Sequence, residues 1–180
     1  MTWSKIARRI RVPLGFVLAI AYFLLARPTW LSIVLGAFVA FIGVAIRASA
    51  SGHVKKNAEL TKTGPYAYVR NPLYVGSIII AAGFAFAALS PWILLILAIM
   101  FAAIYIPVIR SEEAFLRGTF PDFDDYSQRV PRLIPRLSPA YEGTGSFSRE
   151  LYLKHREYNA LIGTAAMLAA LVIKRLWFHS

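Results

Sequence analysis

Two polar stretches interrupt an otherwise apolar chain, and their residue types suit the binding of a charged small molecule. The first runs from Leu60 to Tyr74 and sets Arg70 directly before Asn71 and Pro72. Asn is a favoured helix cap and Pro a favoured first helical residue, so a helix is expected to begin there. Its leading backbone N–H groups would suit a carboxylate. The second stretch runs from Arg110 to Pro135 and carries Glu112 and Glu113 at the end of an apolar run. Acids at a membrane boundary are unusual in so basic a chain, and they point to a function beyond anchoring. Each residue also has a plainer role open to it. Arg70 could be a positive anchor, Tyr66, Tyr68 and Tyr74 an aromatic belt, and the stretch from Phe120 to Arg136 an interfacial helix.

The elements that must position these residues are membrane helices. Of the 180 residues 58% are hydrophobic, and the mean hydropathy is +0.56, above what soluble domains carry. Apolar runs over about 12–26, 30–46, 73–89, 92–108 and 160–173 predict an all-α, polytopic bundle of about five crossings. The last run is short and ends in Lys174 and Arg175, so a tilted crossing and an interfacial segment both remain open for it. Only Ser90-Pro91 separates the third run from the fourth, which predicts a tight antiparallel hairpin with Ser capping and Pro opening the helix. That hairpin would return Glu112 to the face where Arg70 lies. Gly64-Pro65 predicts a turn, while Gly36 with Ala40 and Ala81 with Ala85 predict close helix packing. The stretch 138–148 reads as a flexible linker, and Glu150 with Lys154 as a helical pair beyond it.

Charge sets the orientation. All of the 20 basic residues except Arg27, Lys174 and Arg175 fall before the first run, between the second and third, or between the fourth and last. By the positive-inside rule that face and the N-terminus are cytoplasmic, and the first run is a retained anchor, since no cleavage site follows it. The net charge of +11 forms no separate basic face or tail, so anionic lipid is the expected partner and nucleic acid is not. Without cysteine there is no disulfide, thiolate nucleophile or thiolate metal site. His53, His155 and His179 are scattered and suggest no metal centre.

Taken together, G-P-Y-A-Y-V-R-N-P-L-Y, an apolar hairpin, then E-E-A-F-L-R-G-T-F-P-D-F-D-D-Y and V-P-R-L-I-P resemble the core of the isoprenylcysteine carboxyl methyltransferase and phospholipid methyltransferase family over about residues 55–137. The resemblance implies N-terminal helices over 1–50, a methyltransferase core over 51–137, and a linker with a last membrane helix over 138–180. It implies S-adenosyl-L-methionine as methyl donor in a cytoplasmic pocket, with a lipophilic acceptor entering from the bilayer. Matched to the family motif, Leu60, Tyr66, Asn71, Pro72, Leu73, Tyr74 and Glu112 are cofactor contacts, and Gly64, Arg70 and Glu113 belong to the same motifs. A methionine moiety offers a carboxylate to Arg70 and an ammonium to a Glu, and adenosine packs on Tyr rings.

Three positions depart from the family pattern. Asn71 stands where His is commonest, and it cannot shuttle a proton. Val108 stands where prenylcysteine enzymes have a substrate-binding Arg, which leaves Arg110 as the nearest replacement. Phe123 stands where Tyr is frequent, although Tyr126 keeps a hydroxyl nearby. A carboxylate acceptor would need no base, whereas an amine or thiol would use Glu113 or water as helper. Two other readings compete, a sterol-type membrane reductase using NADPH and a non-catalytic lipid-binding protein. The first predicts more spans, and the second has no need of acids and tyrosines beside a helix start. The oligomeric state is not legible.

Overall fold

A computed structural model describes residues 3–55, 58–143 and 145–178. Lys56 and His179 lie outside the described residues, and Lys5, Arg8, Arg9 and Arg11 are described in backbone only. The described chain is helical with no strand. Its elements are α1 (Trp3–Leu25), α2 (Trp30–His53), α3 (Pro72–Ala88), α4 (Pro91–Thr119), α5 (Phe123–Arg129), α6 (Arg149–Lys154) and α7 (Tyr158–Phe178). Three helices, α2, α4 and α7, are long and apolar enough to cross a membrane. The apolar part of α1, Gly15–Leu25, and the 17 residues of α3 are shorter. Phe16, Phe38, Leu94 and Ile99 are each more than half exposed, the pattern of a surface meant for lipid.

Helices α2 and α3 pack main chain to main chain. A Cβ added to Gly36 would lie 2.5 Å from the Gly83 carbonyl oxygen, and one on Gly83 would lie 2.6 Å from that of Gly36. About two turns along, Gly43 and Gly76 are paired in the same way. No larger side chain fits where one carbonyl faces the next Cα at this range. On α2 the expected Gly36 and Ala40 take part, but on α3 the contact is made by Gly76, Gly83 and Ala87. Ala81 lies on another face and lines a cavity. A capping box starts α2, with Thr29 Oγ1 accepting from Ser32 N–H at 3.1 Å and Ser32 Oγ accepting from Thr29 N–H at 2.9 Å. Ser32 Oγ also donates to Ala87 O, which ties that cap to the end of α3.

The hairpin turn forms as expected, with a difference in how it is capped. Leu89 takes a left-handed conformation at φ 48°, and Pro91 opens α4, while the Ser90 side chain makes no capping bond. Within α4 the stretch Phe101–Tyr105 widens to a π-helix immediately before Pro107. Proline has no N–H and its ring collides with the preceding turn, and one wide turn relieves both. Helix α7 is 21 residues long and packs against α2 and, less extensively, against α1. Its Lys174 reaches across to the carbonyl oxygens of Phe23 and Leu24 at the last turn of α1.

At the other end the chain closes over itself. Phe123, Tyr126 and Val130 form a buried cluster against Leu60, Leu116 and Tyr141. The strand-free segment after α5 is held by main-chain bonds: Arg70 N–H to Pro131 O, Arg136 N–H to Tyr68 O, Ala140 N–H to Ala67 O and Ser148 N–H to Gly52 O. The stretch expected as a linker is thus fastened at intervals to the bundle. Glu150 and Lys154 lie on the short α6 and form no ion pair among the described residues.

Candidate functional site

The loop before α3 and the last turns of α4 meet at one end of the bundle, although about forty residues separate them. A tight turn makes this possible. Gly64 sits at φ +58°, and a Cβ there would strike the His53 ring at 2.4 Å. A single 3-10 turn, Gly64–Ala67, then buries Tyr66, whose carbonyl accepts a 2.9 Å bond from Tyr126 O–H. Burial pushes both phenols well above their ordinary ionisation range, so each is a neutral hydrogen-bonding wall.

Glu113 is the electrostatic centre of this end. Its side chain is 5% exposed, and its carboxylate accepts from Asn71 Nδ2 at 2.9 Å and from Arg132 Nε at 2.9 Å. Arg70 Nε stands 3.6 Å from the same carboxylate, within ion-pair range but too far for a hydrogen bond, and it is buried without one. Glu112, one residue earlier, turns the other way and accepts from Tyr74 O–H at 3.0 Å. The two adjacent acids therefore have separate duties, one buried and saturated, one facing open space. Asn71 stands at the cap position of α3, but its amide does not cap. Its Nδ2 donates instead to the Glu113 carboxylate and to Arg132 O, which fixes the amide away from the helix start. Pro72 has no N–H, and those of Tyr74 and Val75 turn back to Asn71 O, so Leu73 alone remains of the amides expected to face a ligand.

A cavity of about 890 Å3 opens beside this cluster. The motif residues Leu60, Tyr66, Asn71, Pro72, Leu73 and Tyr74 line it. So do Arg70, Glu112 and Tyr126. Three residues picked out in the sequence do not. Gly64 acts through its backbone in the turn outside the lining. Glu113 lies behind the wall, because its oxygens are already taken. Arg110 is exposed on α4 and borders neither cavity, since Val108 and Ile109 occupy the inward side of that turn.

A second cavity of about 610 Å3 lies within the bundle, walled mostly by apolar residues such as Leu18, Ile80, Phe84 and Met167. It shares Arg47, Ser77 and Tyr105 with the first, so the two meet at a seam. Tyr105 lies at the end of the π-helical stretch and packs edge-on against Tyr74 at 5.8 Å. At the seam Arg47 Nε binds Glu157 at 2.5 Å, and its Nη1 donates to Ser77 Oγ at 2.5 Å and Leu73 O at 3.2 Å. Sequence reasoning missed Arg47, Glu157 and Arg132. Arg47 reads as a positive anchor at a helix end, and Glu157 as a loop charge. Only the acid's position directly before the last apolar run could have singled it out. Among the described residues no group of His, Asp or Glu is arranged to hold a metal ion.

Comparison with known proteins bears on this geometry. A family described as "Phospholipid methyltransferase" matches residues 11–122. The nickel-cobalt-cadmium resistance protein NccN of Alcaligenes xylosoxydans xylosoxydans is 44% identical over 103 residues, 54% of this chain and 48% of that protein. The cobalt-zinc-cadmium resistance protein CzcN of Cupriavidus metallidurans is 38% identical over 94 residues, 52% of this chain and 43% of its own length. The chain thus spans about half the length of these curated relatives. No solved structure matches.

Proposed function

This chain belongs to the phospholipid methyltransferase family, a family of integral-membrane methyltransferases, and from that premise we propose that it uses S-adenosyl-L-methionine to methylate a lipophilic acceptor reached from the bilayer. In this reading α1 and α3 cross with the three longer helices to give five spans, and the polar cavity faces the cytoplasm as the basic loops indicate. The observation that carries the proposal is a buried Arg70 Nε without a hydrogen bond, in the wall of a cavity that also holds Glu112.

The residues fit the methyl donor. When bound, S-adenosyl-L-methionine supplies an electrophilic methyl on a positively charged sulfonium. Its carboxylate answers the Arg70 guanidinium, whose Nε makes no hydrogen bond, and its ammonium answers Glu112, which Tyr74 orients. Apart from the Arg47–Glu157 pair, which is self-neutralising at the seam, the lining carries Glu59 and Glu112 against Arg70, an excess of one negative charge that complements the ligand's net positive charge. Tyr66 and Tyr126 are neutral surfaces for an adenosine. A volume of about 890 Å3 lies within the usual range for such ligands. Glu113 serves as a positioning residue that holds Asn71, Arg70 and Arg132 in place. The apolar cavity takes the tail of the acceptor, and the seam is where its reacting atom meets the methyl group. The enzyme's contribution is then alignment and exclusion of water.

The test is incubation of the protein in detergent with methyl-labelled donor and a total lipid extract, followed by mass spectrometry. The proposal expects one lipophilic class to gain the label only when protein is present. If nothing gains it and no donor binds, the assignment is wrong. A larger thermal stabilisation by NADPH than by S-adenosyl-L-methionine would favour the reductase reading instead.

A further inference from the structure

At the seam between the cavities stands an ion pair that lies partly outside the region matched by the family. Arg47, late in α2, falls inside residues 11–122, and Glu157, just before α7, falls beyond them. The Glu157 side chain is 10% exposed, yet only Oε1 is bonded. Its other oxygen makes no hydrogen bond among the described residues, while the side chain borders the polar cavity. Arg47 gives Nε to Glu157 and Nη1 to Ser77 Oγ and the Leu73 carbonyl, and it is the one cation paired with this acid among the described residues. The little-exposed acid therefore has spare accepting capacity toward the cavity.

We propose that Glu157 is the proton acceptor and the selectivity element for the methyl acceptor, and that the acceptor's nucleophile is an X–H group, an amine or a thiol, on a single apolar chain. This rests on the methyltransferase reading above. A carboxylate acceptor would set a second anion beside Glu157 with Arg47 as their shared cation, which is unfavourable where water is largely excluded. An ammonium or thiol instead brings a proton to the oxygen that lacks one. The apolar cavity of about 610 Å3 has room for roughly twenty methylene-sized groups of about 30 Å3 each, one chain rather than two long ones.

The step balances. The ammonium R–NH3+ passes a proton to the Glu157 carboxylate and becomes R–NH2. The nitrogen lone pair forms the new N–C bond, the C–S bond of the sulfonium donor breaks, and its electron pair stays on sulfur as a neutral thioether. The product is R–NH2+–CH3, and the proton on Glu157 leaves to water through the polar cavity. For a thiol, R–SH gives up its proton to Glu157, and the thiolate sulfur takes the methyl as a thioether. Arg47 and Ser77 are positioning residues that hold Glu157 and the start of α3 in register.

The experiment uses octylamine, octanethiol and octanoate as probes on the purified full chain. Binding is read first without donor, as thermal stabilisation. Octylamine or octanethiol should stabilise the wild type and octanoate should not, whereas Glu157→Gln, which leaves Arg47 without its anion, should reverse that order. With labelled donor, Glu157→Gln should lower methylation of the favoured X–H probe at least a hundredfold while donor affinity by calorimetry stays within twofold. The amine and thiol arms tell which nucleophile the site takes. Glu157→Asp keeps the charge and should retain part of the X–H activity while still rejecting octanoate, so a glutamine variant that fails to fold does not end the test. Wild-type methylation of octanoate, full X–H activity in Glu157→Gln, or octanoate acceptance by Glu157→Asp would each overturn the inference. Absence of donor binding to the wild type is a separate result, which sinks the methyltransferase reading and leaves the probe selectivity standing as measured.

Discussion

The glycine seam of α2 and α3 and the acid cluster at the polar end are both tightly packed, but they hold together by opposite means. At Gly36 and Gly83 the backbones touch, and specificity comes from the absence of side chains. Around Glu113 of α4 three side chains, two from the loop before α3 and one from the segment after α5, meet on one carboxylate. The first region tolerates no added atom. The second tolerates no lost charge. A membrane enzyme needs both, because the close helix pair forms a stiff wall while the side-chain cluster holds groups at set distances beside a cavity.

The sharpest way to break the comparison is to add bulk to the first region. Gly83→Leu forces a Cβ against the Gly36 carbonyl, which no rotamer change relieves, and it should cost at least about 3 kcal/mol. Loss of a monodisperse peak in size exclusion is the readout. Gly118, with nothing within 4 Å of an added Cβ, is the control, and Gly118→Ala should leave the melting temperature unchanged or raise it. Removing charge from the second region comes next. Glu113→Ala frees Arg70 and Asn71 and leaves Arg132 to solvent, at a cost of about 2–4 kcal/mol. This is discounted at its exposed arginine and is measurable by thermal unfolding in detergent.

Smaller changes sharpen the contrast. Arg70→Ala should cost less stability than Glu113→Ala, because Asn71 and Arg132 still meet the carboxylate, and should weaken binding of S-adenosyl-L-methionine about 10- to 100-fold, or about 1.4–2.7 kcal/mol. The smallest is Tyr126→Phe, which removes the bond to Tyr66 O and should cost about 1 kcal/mol. The pH dependence has a definite sign. Burial raises the ionisation of Tyr66 and Tyr126 above the usual phenol range, so their contribution to stability is full below about pH 10 and is lost as pH rises further, when only the unfolded chain ionises. Thermal unfolding between pH 8 and pH 11 should show that decline, reduced in Tyr126→Phe.

These regions were not equally legible. Apolar runs and the Ser90-Pro91 break locate the hairpin, and two polar blocks locate the cavity wall, because each signal is local in sequence. What escaped was pairing at a distance. Nothing near Glu113 says that Arg132 will reach it, or that Asn71 will leave its cap for a charged acceptor. The small residues of α3 were assigned to Ala81 and Ala85 by spacing alone, whereas the absence of any Cβ at Gly76 and Gly83 decides which face closes. Arg47 and Glu157 each look like boundary charges, and only their 2.5 Å contact across the seam shows that they belong together. The π-helical turn before Pro107 is a further case, because proline warns of a disturbance without saying that the helix will widen.

Calorimetric titration of the purified protein with S-adenosyl-L-methionine tests the central claim most directly. Saturable binding at one site, weakened at least tenfold in both Arg70→Ala and Glu112→Ala but not in Arg110→Ala, is the predicted result. No saturable heat, or binding that both cavity variants leave unchanged, would contradict it.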